Sequence, residues 1–73
     1  MPLTLFQRDD CPLCDQAYEL LAAAGVADFE PVWIDADPLL EATYGSRVPV
    51  LRCNETELDW PFTVAAIRGL VAL

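Results

Sequence analysis

Cys11 and Cys14 are the side chains whose type and spacing could do chemistry. Two thiols flanking Pro12 and Leu13 can close a small reversible disulfide. They can equally supply half of a four-ligand metal site. The setting of the motif favours the disulfide. Met1 to Phe6 is apolar and reads as a buried strand. Pro12 suits the first residue of a helix, where its missing N–H costs nothing. Cys11 then becomes the N-cap, accepting a hydrogen bond from the backbone N–H of Leu13 or Cys14. That bond and the positive end of the helix dipole favour a thiolate at Cys11. Cys14 falls one turn further in, partly buried, as the resolving thiol.

The neighbouring charges oppose this. Asp9, Asp10 and Asp15 crowd the motif, and Arg8 is the one nearby cation. Like charge disfavours a second anion, so the expected thiolate is milder than one flanked by several lysines.

Composition narrows the function. The 73 residues form one expected domain, 1–73, and are 55% hydrophobic with 10% aromatic, which suits a compact core rather than disorder. The formal net charge of -8 argues against nucleic acid or an anionic membrane surface, since both call for basic patches. It leaves room for a basic protein partner. The chain has no histidine, which removes Cys-His nucleophilic pairs and Cys₂His₂ zinc. Met1 to Phe6 is too short for a signal peptide, and no apolar run reaches membrane-spanning length. The expectation is a cytoplasmic monomer, where a CxxC serves redox or metal chemistry more often than a structural bridge. Cys53, in an apolar stretch, reads as a small core residue.

The elements that must position the thiols follow from the chain in order. Asp15 to Ala24 is rich in good helix formers, and Leu13, Ala17, Leu20, Leu21 and Ala24 recur at helical spacing as its inward face. Gly25 closes the helix. Phe29 to Ile34 reads as a strand that lies at an edge or starts after Pro31, with Trp33 packed between sheet and helix. Asp37 caps a short helix that starts at Pro38 and ends at Gly45. Val50 to Cys53 is a third strand, Asn54-Glu55 a hairpin turn, and Thr56 to Trp60 a fourth strand. Phe62 to Leu73 closes the chain as a helix with Phe62, Ala66, Leu70 and Leu73 on one face. The order is β-α-β-α-β-β-α. The first βαβ unit is expected parallel and right-handed, the hairpin antiparallel, and helices cover both faces of a four-stranded mixed α/β sheet.

This order, the early Cys11-Pro12-Leu13-Cys14 and the later Val48-Pro49 before an apolar strand resemble the thioredoxin fold. The small size and CPxC form are similar to the glutaredoxins and their small bacterial glutaredoxin-like relatives. The resemblance covers nearly the whole chain. It implies a three-layer fold in which Cys11 attacks and Cys14 resolves. It also implies that Pro49 is a cis-proline facing the cysteines and that the Val48 backbone pairs with a bound thiol peptide. Arg8 matches a position where many glutaredoxins carry a lysine facing a glutathione carboxylate.

Two departures touch glutathione recognition. Where glutaredoxins usually carry Gly-Gly after the fourth strand, this chain has Asp59-Trp60-Pro61-Phe62. Arg47 precedes Val48-Pro49, where it either replaces a lost anion contact or pairs with Asp9 or Asp10. Trp60 belongs to the core or to a lip of the groove. The expected activity is thiol–disulfide exchange on a protein or small-molecule disulfide, with no resident cofactor. Glutathione or a thioredoxin reductase would act as reductant. The alternatives are a non-catalytic binding module whose groove is lined by Val48, Pro49 and Trp60, and a metal carrier using the CxxC with a partner chain.

Overall fold

The computed structural model describes residues 3–72. The expected start of the first strand at Met1 and Pro2, and Leu73 at the end of the closing helix, lie outside the described residues. Strand β1 is Leu3–Gln7, helix α1 Pro12–Ala23, β2 Glu30–Trp33, α2 Pro38–Tyr44, β3 Val50–Cys53, β4 Thr56–Asp59 and α3 Val64–Val71, with one 3-10 turn at Ile34–Ala36 between β2 and α2. This is the expected order. The strands lie β2-β1-β3-β4, so β2 and its Pro31 are at an edge. β1 and β2 are parallel, while β1–β3 and β3–β4 are antiparallel.

Strand alternation sorts the core into two layers. Leu5 faces Leu51 across the β1–β3 pair, and both join Leu3, Cys53, Ala17 and Leu21 of α1, and Ile67 and Leu70 of α3 in one buried cluster. Phe6 faces Val50, and both point to the opposite side, where they meet Ile34 and Tyr44 of α2. Helices α1 and α3 therefore cover one face and α2 the other. Cys53 is a buried free thiol in the first cluster, as its apolar neighbourhood implied.

Three local expectations need correction. The buried stripe of α1 is Cys14, Ala17 and Leu21, and Leu13 is 42% exposed. Cys14 packs as a hydrophobe in place of Leu13, which turns outward, while Ala17 and Leu21 are buried and Leu20 and Ala24 pack against the core as expected. In α3 the buried residues are Ile67 and Leu70, and Phe62 is buried ahead of the helix. Thr63 starts α3 instead, its hydroxyl accepting from the Ala66 N–H at 3.1 Å. Trp33 does not pack between sheet and helix: it ends an edge strand and is 47% exposed. No helix among the described residues is long and apolar enough to cross a membrane.

Candidate functional site

The thiols sit where β1 hands over to α1. Asp10 takes a left-handed backbone at φ 55°, and Cys11 follows in extended conformation at φ -123°. Asp tolerates that region because its short polar side chain can bond locally. The chain thus turns sharply off the sheet, and Pro12 begins the helix at once. Cys11 is the N-cap, and its Sγ accepts the backbone N–H of Cys14 at 3.1 Å. Cys11 is half-buried while Cys14 is 2% exposed. The two are joined by a disulfide, with Cα atoms 5.2 Å apart. Cys11 is therefore the more accessible residue of the pair.

The thiols open into a cavity of about 280 Å³ lined by Gln7, Arg8, Asp9, Asp10, Cys11, Pro12, Cys14, Asp15, Tyr18 and Trp33. Buried Gln7 donates to the Tyr18 hydroxyl at 2.7 Å, tying β1 to α1 behind the cysteines. The sequence reading names neither Gln7 nor Tyr18, and it gives Trp33 to the core and not to the site. A signal for Trp33 was there to use. Parallel strands leave their crevice at their carboxyl ends, and Trp33 ends β2 directly opposite Gln7.

The Val48–Pro49 peptide is cis, as the resemblance implied, and Trp60–Pro61 is cis as well. The pairing of Phe6 with Val50 sets the start of β3 beside the end of β1. Pro49 thus lies at the cysteine end of the sheet, with its side chain fully buried. The Val48 N–H donates to the Tyr44 carbonyl at 3.1 Å, and Val48 packs against the α2-side cluster. Trp60 packs on the α1–α3 cluster, edge-on to Phe62 with ring centroids 5.1 Å apart, and is not among the residues lining the thiol cavity.

Both arginines near the site are engaged. Arg8 donates to Glu41 Oε1 at 2.5 Å and to the Gly45 carbonyl at 2.8 Å. Arg47 meets neither Asp9 nor Asp10. It donates to Glu57 Oε1 and Asp59 Oδ1, each at 2.7 Å, and lies over the Tyr44 ring at 5.0 Å. The reason is register: β3–β4 pairing brings Asp59 level with Val50, just after the Arg47 loop. The hydrogen bonds it donates to Asp59 and then Glu57 push the already basic guanidinium further up. Arg47 and then the Tyr44 hydroxyl hold the Glu57 carboxyl below its usual range. Among the described residues, no group of three or more His, Cys, Asp or Glu side chains converges in a way that could hold a metal.

The glutaredoxin-like domain (DUF836) model matches residues 2–71. The chain belongs to that family. Among solved structures, this glutaredoxin-like chain is similar to the structural-genomics target XcR50 from X. campestris. The X-ray structure of that protein shares 55% identity at a TM-score of 0.89, over 96% of this chain and 95% of that one. It is also similar in fold to glutaredoxin grx-1 from Archaeoglobus fulgidus, at 22% identity and TM-score 0.67, over 94% of this chain and 84% of that one. Wheat glutaredoxin aligns at 20% identity and TM-score 0.59, over all of this chain and 73% of that one. The last two likenesses identify the fold as the glutaredoxin form of the thioredoxin fold. No curated protein matches the chain in sequence.

Proposed function

We propose that this glutaredoxin-like chain is a cytoplasmic thiol–disulfide oxidoreductase working through Cys11 and Cys14. The observation that carries the reading is their asymmetry at the α1 N-terminus. Cys11 is half-buried and receives a backbone N–H, whereas Cys14 is buried. In the reduced protein, the Cys11 thiolate attacks one sulfur of a substrate disulfide. A Cys11–substrate bond forms, and the other substrate sulfur leaves as a thiolate that takes a proton. Cys14, deprotonated, then attacks Cys11 Sγ. The mixed disulfide breaks, the second substrate thiolate departs and is protonated, and the Cys11–Cys14 bond closes. Two electrons and two protons pass to the substrate. The Cys14 N–H and the helix N-terminus favour negative charge on the Cys11 sulfur throughout. An external thiol, glutathione or a thioredoxin reductase, returns the pair to the dithiol.

Substitution separates the two roles. Cys11→Ser abolishes exchange, while Cys14→Ser accumulates a mixed disulfide on Cys11 that intact-mass measurement detects. Exchange at an undiminished rate in Cys11→Ser contradicts the assignment. The second reading, a binding module with idle cysteines, draws on the Trp60-Pro61-Phe62 segment that stands where glutaredoxins carry Gly-Gly. It predicts unaltered partner binding in Cys11→Ser and no mixed disulfide in Cys14→Ser.

A further inference from the structure

The chain has four basic residues, Arg8, Arg47, Arg52 and Arg68. Arg8 is held by Glu41 and the Gly45 carbonyl, and Arg47 by Glu57 and Asp59. Arg52 donates to the Asn54 carbonyl in the β3–β4 turn, away from the cysteines, and Arg68 is in the last turn of α3. The residues lining the thiol cavity include Asp9, Asp10 and Asp15, all exposed, against a single basic residue, Arg8, which Glu41 already neutralises. A small anionic disulfide with free carboxylates meets repulsion here and finds no uncommitted cation.

The other wall is independent of charge. Trp33 is 47% exposed in the same cavity. An open indole face attracts ammonium and guanidinium groups and accepts the aliphatic stems of lysine and arginine. Both features select the same ligand chemistry. We propose that the cavity takes disulfides carried by cationic peptide segments, with Asp9, Asp10, Asp15 and Trp33 setting that preference. This rests on the thiol-exchange reading above.

The test offers the reduced protein two peptide disulfides that differ only in lysine or glutamate beside the cystine. Glutathione disulfide and neutral 2-hydroxyethyl disulfide serve as references. Second-order rates of Cys11–Cys14 oxidation are read at about 0.01 M and about 1 M ionic strength, where the screening length falls from about 30 Å to about 3 Å. The lysine peptide should react at least about tenfold faster than the glutamate peptide at low salt, within the range that one-signed clefts impose on association. High salt should close most of that gap. D9N/D10N/D15N should shrink the low-salt ratio, and Trp33→Ala should slow the lysine peptide more than Trp33→Phe does. The salt series on the unaltered protein stands without the variants. Equal rates, a faster glutamate peptide, or a ratio indifferent to salt overturns the charge preference while exchange itself survives. Failure to react with all four disulfides, the neutral one included, overturns the exchange reading and this inference with it.

Discussion

Arg47 and Glu57 stand 2.7 Å apart, and their pairing fixes the loop that carries Val48 and cis-Pro49. Tyr44 completes the unit. Its hydroxyl donates to Glu57 Oε2 at 2.7 Å, its carbonyl accepts the Arg47 and Val48 N–H groups, and its ring stacks on Phe6 at 4.2 Å. One tyrosine at the end of α2 therefore holds β4, the proline loop and the core end of β1 in register.

Tyr44→Phe keeps the ring and removes the bond to Glu57. The expected cost is about 1 kcal/mol, typical of one partly buried hydrogen bond. A urea titration should show a lower midpoint with an unchanged slope, the sign that stability and not the denatured state has changed. An unmoved midpoint would mean that the hydroxyl contributes nothing.

Acid should probe the same unit. Glu57 is held below its usual range by Arg47 and Tyr44, so the unfolded chain takes up the proton first as pH falls. Its contribution is fully present above about pH 4.3, the unfolded value, and is lost as pH falls through the depressed native value. Glu57→Gln should flatten the acid limb of a stability–pH curve. An identical limb in both proteins would contradict the pairing.

Base probes Tyr44 itself. Burial, and then the bond to anionic Glu57, raise its hydroxyl above the ordinary value. The unfolded chain loses that proton first, so the contribution is intact below about pH 10 and is lost as pH rises through the native value. Tyr44→Phe should remove this alkaline component. Parallel alkaline limbs would count against it.

Cys53 should behave as core rather than as a third reactive thiol. It is 1% exposed and pairs with Leu3, at the opposite end of β1 from the disulfide. Cys53→Ser places a hydroxyl in the apolar cluster and should destabilise by about 1–3 kcal/mol. The Cys11–Cys14 redox transition should not move. Cross-linking of Cys53 to either of the other cysteines in the native protein would contradict its placement.

Where the physics is local, the site was legible. An N-cap cysteine followed by proline specifies a helix start whatever the rest of the chain does, and the observed Cys11 geometry follows from it. The edge position of β2 is one of the two arrangements that the missing N–H of Pro31 leaves open, the other being a strand that starts after it. The partners of Arg47 were out of reach, because Glu57 and Asp59 arrive only through β3–β4 register. A tryptophan in an apolar run usually belongs to the core, so the sequence alone misplaces Trp33. What exposes it is its place at the end of an edge strand, a property of sheet order and not of its neighbours in sequence. Leu13 falls on the inward face only while Cys14 is left out of it, and Cys14 is the hydrophobe that the helix buries.

The proposed chemistry requires Cys11 and Cys14 to cycle between dithiol and disulfide. It is tested most directly by equilibrating the protein in graded glutathione buffers, alkylating, and reading free thiols by mass. One two-electron transition confined to Cys11 and Cys14 is expected, with a midpoint between roughly -180 and -270 mV, the range of dithiol oxidoreductases. Absence of a disulfide at every poise, or a mixture of pairings that includes Cys53, would contradict it.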